Sequence, residues 1–370
     1  MASSSNPSKR IDRFFLISVS ILTLFGFVIF LSASLGLLAQ TGANFGTVAM
    51  KQAISLVIGI VFFFIFSRLN YSWLRKGALF IFVGALLVNA LLFIPSLALH
   101  YNGATRWIGL GFFTFQPSEL LKIAFIIYIA AWAHFAKDKI QSMKFGLMPY
   151  IIILAVLSLL LLAQRDTDTL VIIAGTGLIM LVVAGVPFKH ISIAICAMAV
   201  IVGGVVFFRP YALQRVQTFM NRGSDTQGAG YQINQSLIAI GSGQITGRGF
   251  GQSIQKFGYL PQPTDDSIFA VAAEEFGFIG SVVLLILYLL LAASIFRIGN
   301  KAHDTFGGLV VMGIAVLIIT ESFLNMATML GLVPLSGLPL LFVSHGGTAL
   351  IITLMAMGVV ANVSKYSRLA

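Results

Sequence analysis

Apolar runs of about twenty residues recur along almost the whole chain, and they limit its possible folds more than any other feature. A helix needs ~20 mainly apolar residues to cross a hydrocarbon core of ~30 Å. Of the 370 residues, 58% are hydrophobic and only 9% are charged, which is unlike a water-soluble domain of this length. Because lipid offers no hydrogen-bonding partner to the backbone, these runs predict membrane-spanning helices.

Ten such runs can be delimited, and we therefore predict an all-α polytopic membrane protein of about ten transmembrane helices. The first run follows a basic start but is too long for the apolar part of a cleaved signal peptide, so it is interpreted as a retained span. The predicted spans cover residues 14–39, 45–66, 77–99, 117–135, 145–163, 169–186, 191–208, 268–296, 306–332 and 339–363.

An even number of spans places both termini on the same side of the membrane. Most lysine and arginine residues of the short loops lie on that side, which the positive-inside rule assigns to the cytoplasm. The sequence thus predicts one transmembrane domain over 1–370, with cytoplasmic tails at 1–13 and 364–370. A large extracytoplasmic loop, 209–267, separates spans seven and eight, and its apolar pieces at 233–240 and 250–259 predict amphipathic segments at the membrane surface.

Composition also excludes several kinds of site. The single cysteine, Cys196, rules out an intramolecular disulfide, and the five histidines are too scattered to predict a zinc site. No resident metal is therefore expected. The net charge of +11 is explained by topology and by attraction to anionic lipid, so nucleic acid is not an expected partner.

Charged residues within or beside the predicted spans are the first candidates for function. Glu119 and Lys122 are i,i+3 neighbours in the fourth span, shortly after Arg106. Charges at this depth are costly and indicate a functional site unless they form a structural ion pair, and both interpretations stay open. Asp166, in a short external turn, is either a helix cap or a polar partner for Lys122 or an arginine.

The long loop carries a second set of candidates. Arg215 precedes the segment GYQINQS, which contains Gln232 and Ser236, and the loop continues through GRGFG to Lys256. Glycines that let a backbone approach closely, alternating with basic side chains such as Arg248, are typical of pyrophosphate binding. Binding of lipid head groups is the alternative.

Two carboxylates stand where the long loop meets the eighth span. Asp265 and Asp266 follow two prolines and precede Glu274 and Glu275 by about two helical turns. A carboxylate in such a half-desolvated position is suited to general base catalysis, whereas helix capping is the simpler alternative. Near the last span, His345 lies among small residues and is interpreted as a buried histidine.

Taken together, RW…QPSE…K, GYQ…QS…GSG, GRGFG, YLP…DSIFAV…EE and SGLPL resemble the SEDS family (shape, elongation, division and sporulation), to which FtsW and RodA belong. The resemblance runs from about residue 100 to the C-terminus, and the motifs are more similar to those of FtsW than to those of RodA. Four positions depart from the family pattern: its usual proline, glycine, glutamate and tyrosine are replaced by Arg165, Asp168, Gln262 and His345.

The resemblance implies an inverting peptidoglycan glycosyltransferase of the cytoplasmic membrane that polymerises lipid II on the outer face. Asp266 would be the general base. The implied substrate-binding residues are Arg106, Glu119, Lys122, Asp166, Arg215, Gln232, Ser236, Arg248 and Lys256. A divalent cation, Mg²⁺ or Mn²⁺, is conceivable with the substrate pyrophosphate. A class B penicillin-binding protein and other divisome or elongasome proteins are the implied partners, and a lipid II flippase or a non-catalytic scaffold are the alternative functions.

Overall fold

The computed structural model describes residues 10–39, 45–101, 104–111, 113–137, 139–208, 210–221 and 228–366. Within them the chain is mainly helical, as predicted. The α-helices are α1 (Arg13–Ser34), α2 (Phe45–Arg68), α3 (Ser72–Lys76), α4 (Ala78–Ala90), α5 (Pro117–Phe135), α6 (Met148–Ala163), α7 (Thr167–Val183), α8 (Phe188–Phe208), α9 (Pro210–Met220), α10 (Ala229–Ser242), α11 (Ile268–Asn300), α12 (Thr305–Met329) and α13 (Gly347–Lys365).

Seven of the described helical segments are long and apolar enough to cross a membrane. Three more apolar helices, Ala78–Phe93, Thr167–Val183 and Phe188–Gly204, are shorter. Each predicted span overlaps one of these segments, but the predicted count of ten spans is not confirmed. The last helix begins at Gly347 rather than near residue 339, because the residues before it form an extended loop, 331–346.

A three-stranded antiparallel sheet was not predicted. It consists of β1 (Ala98–Tyr101), β2 (Ala104–Leu110) and β3 (Phe113–Phe115), in that order. The apolar run assigned to one span at 77–99 ends as a helix at Phe93, since Pro95 disfavours helical geometry in Ile94. Strand alternation then places Arg106 on the buried face of β2.

Close backbone contacts hold the last helix in the bundle. A Cβ atom at Gly358 of α13 would lie 2.5 Å from the carbonyl oxygen of Phe63 in α2, and one at Gly59 of α2 would lie 2.6 Å from Leu354. Small residues permit this approach, and the resulting van der Waals packing is one of the forces that hold helices together in lipid. Helix α12 packs against α5, α7, α11 and α13 and lies at the centre of the structure.

The segment 243–267 of the long loop packs into a break in α11. The helix is interrupted at Gly277, with φ of 65° and ψ of −163°. The backbone of the segment forms the hydrogen bonds that the break leaves open: Arg248 N donates to Glu274 O at 3.0 Å, and Phe278 N donates to Gln244 O at 2.9 Å. Non-helical backbone in a membrane protein is stable when it is buried in this way.

The two predicted amphipathic pieces of the loop fold differently from each other. The piece at 233–240 lies within α10, whose buried face includes Ile233 and Ser236 and packs against α11. The piece at 250–259 consists of turns without a helix. Arg222, which the sequence also places in this loop, lies outside the described residues.

Candidate active site

A cavity of about 770 Å³ lies among β2, β3, α9, α10, the 331–346 loop and the start of α13. Its wall combines apolar surface with carboxylates, guanidinium groups and amides, the mixture expected where a ligand is held and oriented. The lining includes four of the predicted site residues, Arg106, Arg215, Gln232 and Asp266, together with Trp107, Gln116, Gln262, Asp265, Gly337 and His345.

Asp266 lies at the cavity immediately before the first turn of α11. Its backbone carbonyl accepts a hydrogen bond from Asn325 Nδ2 at 2.7 Å, which ties the loop to α12. The neighbouring Ser267 hydroxyl accepts from Gln232 Nε2 at 2.9 Å. The side chain is half-buried, and its Oδ1 is enclosed without a hydrogen-bond partner among the described residues. The chain at Asp266 is therefore held in place, while one oxygen of its carboxylate has no hydrogen-bond partner among the described residues.

Burial and charge both disfavour ionisation of this carboxyl group. Desolvation is the largest cause and the negative charge of Asp265 the second, and together they raise the pKa of Asp266 to about 7. A hydrogen bond from Gln232 and the positive charge of Arg215 offset part of the rise. A carboxylate with a pKa near neutrality is a stronger base than an ordinary aspartate, yet is still substantially ionised at neutral pH.

The 331–346 loop fixes Asp265 beside Asp266. Ser344 Oγ donates to the Asp265 carbonyl at 2.6 Å, and His345 N donates to Thr264 O at 2.7 Å. The His345 ring lies 3.4 Å from Asp265 Oδ1 and stacks on Phe30 at 5.7 Å between ring centroids. His345 is about one-third exposed and lines the cavity, so its interpretation as a buried histidine was wrong.

Two arginines form the opposite part of the wall. Arg106 Nε lies 3.6 Å from Asp166 Oδ1, and its Nη2 lies 3.8 Å from Asp168 Oδ2. Arg215 Nη1 lies 3.0 Å from both oxygens of Asp168. Asp166 also caps α7 by accepting from Thr169 N at 3.5 Å, so both of its predicted roles, helix cap and arginine partner, are observed.

Glu119 and Lys122 do not line this cavity. Lys122 Nζ lies 2.8 Å from Glu119 Oε1 and donates to both oxygens of Glu321 on α12, at 2.8 and 2.7 Å. All three side chains are buried, and they border a separate void of only about 10 Å³. The geometry is that of a buried ion cluster joining α5 to α12, which matches the structural alternative for this pair.

Lys256 and Arg248 also lie away from the cavity. Lys256 is completely buried, with Nζ 2.6 Å from Glu275 Oε1 and 3.0 Å from the carbonyl oxygen of Ser32 in α1. Arg248 Nε lies 3.4 Å from Glu274 Oε1. The predicted convergence of these basic side chains on one pyrophosphate site with Arg215 is not observed.

The glycines of the GRGFG segment approach protein rather than ligand. A Cβ atom at Gly247 would lie 2.1 Å from the carbonyl oxygen of Glu275, so this position has no room for a side chain. Ser236, another predicted ligand, is fully buried and donates to Gln232 O at 2.8 Å. The sequence pattern predicted that this segment approaches a ligand, whereas in the structure its backbone approaches the broken part of α11.

Comparison with known proteins identifies the family. The FtsW/RodA/SpoVE family, described as "Cell cycle protein", matches residues 12–369. The chain belongs to this family. It is 37% identical over 358 residues to "Probable peptidoglycan glycosyltransferase FtsW" of Geobacter sp. (strain M18), covering 96% of this chain and 97% of that one. It is 36% identical over 321 residues to "Stage V sporulation protein E" of Bacillus subtilis (strain 168), covering 86% and 87%.

A solved structure agrees with this assignment. A chain from the structure described as "Structural coordination of polymerization and crosslinking by a peptidoglycan synthase complex" superposes with a TM-score of 0.79 and 26% identity, covering 96% of this chain and 97% of that one. Like the other members of the FtsW/RodA/SpoVE family, the chain is a multi-pass membrane protein.

Three residues of this family member were not assigned a role from its sequence. Asp168 stood out only as a departure from the family pattern, Gly337 only as part of the SGLPL motif, and Glu321 was not singled out. Glu321 had a usable signal, because a carboxylate inside an apolar helix requires a cationic partner, and Lys122 is a basic residue inside another predicted span. The partners of Asp168 come from β2 and α9, and no local spacing relates them.

Proposed function

We propose that this chain is a peptidoglycan glycosyltransferase that polymerises lipid II during cell division, with Asp266 as the general base. The observation that carries the proposal is the position of Asp266: a half-buried carboxylate with an enclosed oxygen that has no hydrogen-bond partner among the described residues, in a large cavity that two arginines also line. The names of the FtsW relatives and of the synthase complex support the reaction class.

In the proposed reaction, Asp266 accepts the proton of the 4-hydroxyl group of the acceptor GlcNAc. The hydroxyl oxygen attacks the anomeric carbon of the donor MurNAc as the bond from that carbon to the lipid pyrophosphate breaks, with inversion. Arg106 and Arg215 stabilise the charge on the departing pyrophosphate, because guanidinium groups match phosphate oxygens in geometry and charge. Lys256, Arg248, Glu119 and Lys122 support the fold around this site.

The proposal also includes the side of the membrane on which the cavity lies and the proteins that bind the chain. Both termini lie in the cytoplasm and the cavity opens on the outer face of the cytoplasmic membrane, as the distribution of basic residues predicts. The partner is a class B penicillin-binding protein that cross-links the new strand, since the similar chain of known structure belongs to a complex of polymerisation and crosslinking. Other division proteins recruit the pair.

A divalent cation carried by the pyrophosphate fits this chemistry only in part. No group of three or more His, Cys, Asp or Glu side chains that could hold a metal exists in the part of the chain that the structure describes. Mg²⁺ is nevertheless commonly held by one or two carboxylates together with substrate phosphates. Asp265, which lines the cavity and is exposed by about 41%, is the carboxylate that would hold such an ion.

The test is polymerisation of labelled lipid II by the purified protein in the presence of its transpeptidase partner. We expect Asp266→Asn to lower the rate by roughly 10²–10⁴-fold, the usual contribution of a general base, without a fall in apparent Tm. The matched control is Asp12→Asn, which alters an aspartate paired with Arg297 at the other end of the fold.

The same assay separates the alternatives. If the chain were a flippase, Asp266→Asn would move lipid II across a vesicle membrane as well as the wild type does. The purified wild-type protein would then make no glycan strands. A scaffold would support division with Asp266→Asn whenever the variant is recruited. Glycan synthesis by Asp266→Asn at the wild-type rate would exclude the proposed mechanism.

A further inference from the structure

Asp168 is a nearly buried carboxylate that the proposed reaction does not use. Its side chain is 12% exposed and lies in the first turn of α7, where the helix dipole favours a negative charge. It accepts Arg215 Nη1 at 3.0 Å on both oxygens, and Oδ2 also accepts Gly337 N at 3.3 Å. Arg106 Nη2 lies 3.8 Å from the same oxygen.

The three partners of Asp168 all line the cavity, and they belong to three different elements. Arg106 lies on β2, Arg215 on α9, and Gly337 in the 331–346 loop. Asp168 is not itself a lining residue, so it contacts these groups from behind the wall. A carboxylate in this position restricts the orientation of a guanidinium group without occupying the space in front of it.

Helix α9 depends on such a contact more than the other helices around the cavity. It packs on its sequence neighbours α8 and α10, and Thr218 is the one fully buried side chain among those of α9 that the structure describes. The ion pair between Arg215 and Asp168 links this shallowly packed helix to α7, which lies within the helical bundle. Loss of the pair would remove this link between the two helices.

The charges of this cluster explain what the contact contributes. Asp166 and Asp168 balance Arg106 and Arg215, so the four groups carry no net charge. The wall therefore binds an anion mainly through the directions of its N–H donors. Donors that are already held in place lose less conformational entropy when a pyrophosphate binds.

We propose that Asp168 is a positioning residue that pins Arg215, and with it α9, to the cavity wall beside Arg106 and Gly337. The pyrophosphate of the lipid-linked donor then meets donors that are already oriented. The identity of that ligand rests on the proposed function, whereas the pinning of α9 does not.

The test compares Asp168→Asn with Asp168→Glu and with the control Asp12→Asn. Asp12 is an almost perfect match, since it is 11% exposed, stands at the N-terminus of α1 and pairs with an arginine, Arg297, at 2.6 Å. The first measurement is amide hydrogen exchange of residues 210–220 in the purified full-length protein. A charged hydrogen bond contributes ~1.5–3 kcal/mol, so we expect Asp168→Asn to exchange there about tenfold faster or more, Asp168→Glu less so, and Asp12→Asn as the wild type.

The second measurement is the steady-state kinetics of polymerisation at varied lipid II. Because Asp168 orients groups that contact the donor before and during reaction, Asp168→Asn should raise KM roughly tenfold, with a smaller change in kcat. Asp168→Glu restores the charge and should recover part of the loss. Adding Asp168→Asn to Arg215→Gln should cost little more than Arg215→Gln alone, because Asp168 acts mainly through that arginine.

Each measurement has an outcome that would overturn the inference. Unchanged exchange at 210–220 in Asp168→Asn would show that the pair does not pin α9. A lower KM would show that Asp168 competes with the donor for the arginines, and fully multiplicative losses in the double variant would show action independent of Arg215. If the wild type made no glycan, the proposed function would fail, but hydrogen exchange would still decide the pinning.

Discussion

Asp266, which lines the cavity, and Lys256, which lies in a buried cluster, belong to the same long loop. Both regions contain carboxylates beside basic groups. In the Lys256 cluster each charge is matched closely. Lys256 Nζ contacts Glu275 and Ser32, and Glu274 accepts the Ser253 hydroxyl at 2.5 Å and two backbone N–H groups. In the cavity, Asp266 Oδ1 has no such partner among the described residues.

This contrast separates buried charges that stabilise the fold from those that can take part in chemistry. A paired and hydrogen-bonded charge is stable where it stands, and moving it to a ligand would leave its partner unpaired in a low-dielectric environment. An enclosed carboxylate oxygen that has no partner and belongs to a residue lining a large cavity indicates where a ligand can bind. By this criterion the cluster of Lys122, Glu119 and Glu321 resembles the Lys256 cluster.

The largest expected effect comes from breaking the Lys256 cluster. Lys256→Met keeps the volume but leaves Glu275 buried without its cation, which typically costs ~3–5 kcal/mol. We expect a large drop in apparent Tm in detergent, and for the molecules that remain folded a polymerisation rate per molecule much closer to wild type than that of Asp266→Asn. Thermal unfolding and rate are measured on the same preparation.

A double variant sharpens this result. Lys256→Met combined with Glu275→Gln removes both charges, so it should recover much of the Tm that Lys256→Met loses. The opposite pattern is equally informative: normal Tm with lost polymerisation in Lys256→Met would mean that Lys256 reaches the pyrophosphate, as the sequence pattern suggested, and that the two regions are not distinct.

The sequence was sufficient for the helices because apolar length is a local property. Every predicted span overlaps an observed apolar helix, and the turn beginning at Pro95 accounts for the main error, the unpredicted sheet. The start of α13 was placed several residues too early for a related reason: the 331–346 loop is buried and as apolar as a helix, although Pro334 and Pro339 interrupt it.

The site was less predictable because its contacts are not local. Asp266 could be assigned to the loop–membrane boundary from its place before an apolar run. Arg106 could be assigned to the site because it is a charged residue next to Trp107. The partners of Lys256, however, include Ser32, which is 224 residues away in the sequence. A glycine-rich basic loop is equally typical of a ligand cradle and of a segment packed into a broken helix, and only the three-dimensional contacts distinguish them.

A smaller effect tests whether the glycine segment belongs to the packed region. Gly247 has φ of +81°, and a Cβ there would lie 2.1 Å from Glu275 O. Gly258, with φ of +91°, has open space around its Cβ and is the matched control. The left-handed backbone should destabilise both alanine variants by ~1–2 kcal/mol, and overpacking should destabilise Gly247→Ala by a further ~1–3 kcal/mol.

The expected result is a lower apparent Tm for Gly247→Ala than for Gly258→Ala. Equal values of Tm would contradict the close approach of this segment to α11. A selective loss of polymerisation at equal Tm would instead return the GRGFG segment to substrate binding, as the sequence pattern first suggested.

The smallest effect concerns the pH dependence of the cavity itself. The charge of Asp265 helps to raise the pKa of Asp266 to about 7, so Asp265→Asn should lower that pKa. A general base works when ionised, and the rate therefore rises with pH through its pKa. Asp265→Asn should move this rise to lower pH by a fraction of a unit to about one unit.

Stability gives an independent check of the sign. The pKa of Asp266 is raised from the unfolded value of 3.8, so the folded state holds this proton more tightly. Its contribution to stability is complete below pH 3.8 and is lost as the pH rises towards 7. Because Asp265→Asn lowers the folded pKa, it should reduce this loss, and apparent Tm should fall less between pH 4 and pH 7 than in the wild type. The control is Lys256→Met, because the carboxylates of the Lys256 cluster already have partners and lie away from the cavity. This variant should leave the pH of half-maximal rate unchanged. A shift in that pH would mean that the two regions are electrostatically coupled.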